Sequence, residues 1–379
     1  MLRRHAIPLA CALVALAAAG AGVIESLRTQ HWDTTALVRM RATLPLSQLA
    51  THDDPSFRLR GESGFYDGAY FYAVARDPLA TGQAHRLLDE APYYWGHPAY
   101  GWVTWLASAG GRPRAVPDAL LGAGLMAVFL AGGAASLLAR ALGWSPWGGL
   151  VVALNPGLLF ATSTDTSEPF GAALLLFGLV AYVRGRRASA VGLLAVLCLV
   201  KEPLVLVPLA IAAWELWRRR PPLVAAAVVP AAVWWAYLRI HLGAFPFGQG
   251  TERLTFPLAG WKAALFSAAT QSWSRGQIAA QVGEAAVPLI IAVGLAIGVA
   301  AVYALRLRSP VHPAFLAVAA LYACITPNGV QYPKDLFREL ALVLTLLPFV
   351  VAVRATPDER ASSGTRPPAR LLSALRRGS

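Results

Sequence analysis

The feature that most constrains this chain is a succession of apolar runs about 18–24 residues long, the length a helix needs to cross the hydrocarbon of a bilayer. A membrane barrel needs alternating segments of about ten residues, and no train of them is present. The chain therefore reads as an all-α membrane protein. Composition agrees, since 56% of the residues are hydrophobic and 14% charged, where soluble domains carry roughly one-quarter charged residues. The formal net charge of +13 sits in short arginine clusters between apolar runs, as in cytoplasmic loops. No basic stripe with a binding motif is present, so nucleic acid is not an expected partner.

Charge then orders the chain. Residues 1–27 form an uncleaved first span, or a signal peptide; in either case the chain emerges on the outer face. Residues 25–117 make a long first outer loop, in which the stretches after Gly68 and at 97–107 are expected to lie flat in the interface. Further spans are expected at about 118–142, 144–162 and 170–183, the last stopping at Arg184–Arg187. The apolar segment 188–217 is about 45 Å of helix at 1.5 Å per residue, too long for one span. A hairpin turning at Lys201-Glu202-Pro203 keeps Arg184–Arg187 and Arg218–Arg220 on one side. A span at about 223–242, a second outer loop at 243–284 with an interfacial helix facing Leu258, Trp261, Leu265 and Ala269, and spans at about 285–305, 312–326 and 336–353 complete the count.

That gives ten helices, a polytopic domain over 1–355 with both termini cytoplasmic, and a basic disordered tail at 356–379. Cys11, Cys198 and Cys324 each lie in an apolar run and read as packing residues. The twelve tryptophans read mostly as membrane-belt aromatics.

Ionisable residues gather at the outer ends of the spans: Asp67 in GFYDGAYFYAVARDP (64–78), Asp165 and Glu168 in TSTDTSEP, Lys201 and Glu202 in the hairpin, and Lys334, Asp335, Arg338 and Glu339 before the last span. Such groups at membrane depth are functional candidates. Each also has a plainer structural reading. Asp67 caps a helix starting at Gly68; Ser167 or Asp165 caps the helix opened by Glu168-Pro169; Lys201 and Glu202 neutralise each other; Arg338 snorkels to the interface; and His97 packs there. Nothing is spaced with His97 to bind a metal.

The string YDGxxxY and ARDP in an outer first loop, then HPAY, NPG, TSEP, KEP and a late arginine, resembles the C-type (GT-C) superfamily of polytopic glycosyltransferases. The similarity is greatest to the bacterial branch related to mannosyltransferases that use polyprenyl-phosphate sugars. It implies an inner-membrane enzyme working on the outer face, with Asp67 as general base in an inverting transfer to a glycan, lipid or protein acceptor. Lys201 and Arg338, with Lys334, are the implied partners of the leaving phosphate; Tyr66, Tyr70, His97, Tyr100, Asp165, Glu168 and Glu202 complete the expected substrate contacts. The chain lacks a DxD motif, so no metal or other cofactor is expected. It also departs from the family at Tyr100-Gly101-Trp102, where relatives carry an arginine soon after the tyrosine. Two other classes remain open on the residues alone: a transporter or lipid flippase, with helices broken at Pro203 and Pro230, and a non-catalytic partner in envelope assembly.

Overall fold

The computed structural model describes residues 2–61, 66–247, 254–274 and 277–352. Gly64 and Phe65 of the aspartate motif, Arg253 and Arg275 of the second outer loop, and the basic tail at 356–379 lie outside those residues, as does the side chain of Ala269. The fold is all-α, 73% helix, with no strand among the described residues. Among the described residues four stretches are long and apolar enough to cross a membrane: His5–Arg28, Pro113–Ala141, Leu223–His241 and Val287–Ala304.

The first two of these stretches belong to α1 (Leu2–Arg28) and a later helix, Val116–Ala141, that packs along it. The small Ala15 and Ala19 are buried between them with Val128, which lets the backbones approach. The first loop runs between the two helices in sequence and folds as α2 (Leu46–Asp53), α3 (Gly68–Arg76), α4 (Ala91–Trp95) and α5 (Ala99–Ala107), leading into the long α6 (Val116–Ala141). The aromatic stretches of this loop pack into the protein. Tyr72, Trp95 and Tyr100 are fully buried, because α3 packs against α4, α5 and α6.

Several tryptophans also act as ties, since a buried indole N–H needs an acceptor. Trp95 donates to the Asp77 carbonyl at 2.7 Å, Trp102 to Pro78 at 2.8 Å, Trp234 to Trp95 at 2.6 Å and Trp235 to Gly96 at 3.1 Å. Trp214 and Trp261 reach the carbonyls of Leu307 and Tyr322. The first loop is thereby fastened to the helix at 229–241.

The stretch expected as a single span at 144–162 is instead interrupted. It forms α7 (Gly149–Ala153) and α8 (Pro156–Thr162), because Pro156 cannot continue the preceding hydrogen-bond ladder. Asn155 caps α8 by accepting from the Gly157 N–H, while its amide donates to the Ala341 carbonyl at 2.9 Å. After α9 (Glu168–Val183), α10 (Arg187–Cys198) and α11 (Leu206–Trp217) are separated by an extended Lys201 and a short 3-10 turn at Glu202–Val205. Arg187 at the start of α10 pairs with Glu215 near the end of α11 at 3.0 Å, so the chain doubles back at this turn. The remaining helices are α12 (Val229–His241), α13 (Ala259–Ser274), α14 (Gln277–Ala304), α15 (Val311–Ala323), the single turn α16 (Asn328–Gln331), α17 (Pro333–Glu339) and α18 (Ala341–Ala352). The segment expected as the last span is thus broken at Leu340. α13 turns Trp261 and Ala264 inward onto the core.

One ion pair ties α2 to α3. Arg76 donates to Asp53 at 2.7 Å, with both side chains mostly buried. Burial raises the Asp53 carboxyl, but the Arg76 hydrogen bond and charge outweigh it and leave the group below its ordinary value. A depressed carboxylate stabilises the fold above its unfolded value and loses that contribution as pH falls through the folded one. Asp53→Asn is expected to cost about 1–2 kcal/mol at pH 7. The gap to the parent should close below about pH 4, read from thermal melts in detergent across pH.

Candidate functional site

Asp67 owes its position to its two neighbours. The Tyr66 N–H donates to the Arg39 carbonyl at 3.2 Å, and the Asp67 carbonyl accepts from the Tyr70 N–H at 2.9 Å to open α3. Gly68 makes the turn possible, since a Cβ there would meet the Val38 carbonyl at 2.8 Å and the Thr164 carbonyl at 2.9 Å. The Asp67 side chain makes no capping bond. Its carboxylate pairs with Arg338 instead, so the plain capping role is not the one the fold uses.

Arg338 is brought there by α17, which lies on α8 where Gly157 has no side chain to hold the Phe337 carbonyl off. The guanidinium is buried rather than snorkelling. It binds Asp67 and Glu339 and stands 3.7 Å from Glu168. Lys201, from the helix break, donates to Glu168 at 2.9 Å and lies 3.7 Å from Glu339. Lys201 and Glu202 therefore do not neutralise each other. Glu202 pairs across the site with the His97 ring at 2.9 Å, where the Ala99 N–H bonded to the Leu199 carbonyl at 3.0 Å draws α5 to the turn.

Three carboxylates (Asp67, Glu168, Glu339) thus face two cations (Lys201, Arg338). Glu168 and Glu339 are buried, whereas Asp67 is 39% exposed and is the most open of the five. It borders a cavity of about 230 Å³. One wall is aromatic: Tyr70 and Tyr94 stack with centroids 3.5 Å apart, and Tyr93 meets the His97 ring edge to face at 5.4 Å. Glu168, Lys201, Glu202 and Glu339 line it with polar groups, and Leu254, Leu321 and Ile325 give it an aliphatic side.

Asp67, Tyr70, His97, Glu168, Lys201 and Glu202 all line this cavity. Tyr66 and Arg338 stand behind Asp67, the Tyr66 hydroxyl donating to Asp335 and its ring 4.8 Å from the Arg338 guanidinium. Lys334 is exposed, 5.5 Å from the same ring, and does not line the cavity, so the fold does not bring it to the donor side with Lys201. Two further expected contacts are corrected. Tyr100 is buried and spends its hydroxyl on the Leu120 carbonyl at 2.8 Å. Asp165 is sealed away from the cavity, and neither of its oxygens has a hydrogen-bond partner. Burial pushes its carboxyl well above the usual range, and the Arg39 charge acts against that.

Phe71, Tyr93, Tyr94 and Tyr322 also line the site, together with Glu339, which the sequence placed near it without a role. The aromatic run PYYW at 92–95 is the sequence signal that could have pointed to Tyr93 and Tyr94. Among the described residues no group of three His, Cys, Asp or Glu is placed to hold a metal ion. No family model, curated protein or solved structure matches the chain.

Removing one member of a buried charge cluster strands the others without a counter-ion. Arg338→Met leaves Lys201 alone against three carboxylates and should cost about 3–5 kcal/mol, measured by denaturant unfolding in detergent.

Proposed function

We propose that this protein is a ten-span membrane glycosyltransferase of the bacterial inner membrane. It moves a sugar from a polyprenyl-phosphate donor to an acceptor hydroxyl at the outer face. The observation that carries the reading is the composition of one cavity, in which an accessible carboxylate, an aromatic wall and a lysine meet beside aliphatic side chains. Sugars stack their apolar faces on aromatic rings, phosphate binds lysine and arginine, and a prenyl chain follows aliphatic surface.

The chemistry is a single displacement. The acceptor oxygen attacks the anomeric carbon, its proton passes to an Asp67 oxygen, and the bond from that carbon to the phosphate oxygen breaks with its electron pair leaving on phosphate. Attack opposite the leaving group inverts the centre. A general base must come within about 2.6–3.2 Å of the hydroxyl it deprotonates. At rest Asp67 is bound to Arg338, so that carboxylate oxygen is occupied. A donor phosphate competes for Arg338 and Lys201, and as charge grows on the leaving oxygen both cations are drawn to it. That exchange releases Asp67 when the acceptor needs it.

The arginine clusters at 184–187 and 218–220 support an orientation with both chain termini in the cytoplasm and the cavity on the opposite face. Asp67→Asn keeps the shape of the side chain and removes the proton acceptor. Transfer in membranes supplied with a lipid-linked sugar should fall about 10²–10⁴-fold, with insertion and detergent elution profile unchanged. Full activity in that variant removes Asp67 as the base, and substrate flux in proteoliposomes without glycosidic-bond formation assigns the cavity to transport.

A further inference from the structure

The Tyr66 ring is surrounded by three cations: the Arg338 guanidinium at 4.8 Å from its centroid, the Lys334 ammonium at 5.5 Å and the Arg39 guanidinium at 5.7 Å. Arg338 is taken up by Asp67 and Glu339. Neither Arg39 nor Lys334 makes an ion pair among the described residues, and the Nε of Arg39 is buried without a hydrogen-bond acceptor. More positive charge stands close by. The main chains of Arg41 and Arg60 bridge each other, and the Arg60 Nε is also buried and unbonded. Burial, and then the neighbouring Arg60, both push against the charge on Arg39, which a guanidinium keeps at any working pH. Two acids stand near: Asp335 accepts from Tyr66, and Asp165, whose charge favours that of Arg39 through space, makes no hydrogen bond to it.

We infer that Arg39 and Lys334, backed by Arg60, form an anion subsite around Tyr66 that receives a phosphate group carried by the acceptor. The cavity beside Asp67 has the opposite balance, being lined by four carboxylates (Asp67, Glu168, Glu202, Glu339) and one lysine (Lys201). An anionic acceptor is repelled from the cavity centre and attracted to the cations around Tyr66, which stands behind Asp67 and next to it in the chain. Lys334 is exposed, so the subsite is reachable from water. Assigning the anion to the acceptor rests on the glycosyltransferase reading, in which Lys201 and Arg338 already serve the donor phosphate. The existence of the subsite does not rest on it.

The test uses the full chain in nanodiscs and needs no turnover. Inorganic phosphate binding is followed by ³¹P line broadening and polyprenyl phosphate binding by tryptophan fluorescence. Parent protein should bind inorganic phosphate more weakly as salt rises. Lys334→Gln and Arg39→Gln should each weaken that binding about tenfold, the effect of one charge-assisted hydrogen bond, and leave polyprenyl phosphate within about twofold of the parent. Lys201→Gln should do the reverse. Phosphate binding that is absent in the parent, or unchanged in the exposed Lys334→Gln, overturns the subsite. An equal loss of polyprenyl phosphate in Lys334→Gln overturns its assignment to the acceptor. A protein that passes this test while Asp67→Asn leaves transfer untouched keeps the subsite and loses the proposed reaction.

Discussion

The structure depends on one buried guanidinium. Arg338 lies where the first loop, the start of α9, the helix break before α11 and α17 meet, and it answers carboxylates from three of them. Desolvating that many charges is expensive, and the arrangement holds only because each side chain finds its opposite within hydrogen-bond reach. A cluster of this kind adds little net stability over well-packed apolar residues. It does fix geometry, because almost any other packing of these segments leaves a charge unpaired.

The same economy explains the shape of the cavity. One side of it is main chain that cannot continue as helix, an extended Lys201 ahead of Pro203, and Asn155-Pro156 makes a like break between α7 and α8. Broken helices leave backbone groups that need partners, and here they are met by Asn155 and by the Leu199 carbonyl. Polar backbone at that depth is tolerated because it faces protein and a cavity. The aromatic wall is rigid for a different reason: Tyr70 and Tyr94 are stacked, while Trp95 and the tryptophans of α12 hold their loop to the bundle.

Much of this was legible in the sequence. Apolar length and charge clusters marked the helices, and the turn at Lys201-Glu202-Pro203 was set by arginines on both sides of it; the Arg187 pair with Glu215 shows that the chain does reverse there. Partner choice was not legible. Lys201 and Glu202 are adjacent in the chain, but an extended residue sends successive side chains to opposite sides, so each bonds to a different element. Tyr100 and Asp165 looked like site residues because their types suit the chemistry, yet helix packing turned both into the core. Arg39 was passed over, since a lone arginine in a loop carries no periodicity and its relation to Tyr66 exists only in the fold.

The reversal between α10 and α11 is pinned at both ends, by Glu168 and His97 at the turn and by Glu215 at the open end. Each arm has 12 residues, about 18 Å of helix against a hydrocarbon layer near 30 Å thick. With the arginine end at the cytoplasmic boundary, as proposed, the lysine lies well below the opposite headgroups. The site is then a well whose depth is set by helix length, and only a molecule whose charged end can sink past the lipid carbonyls reaches its bottom.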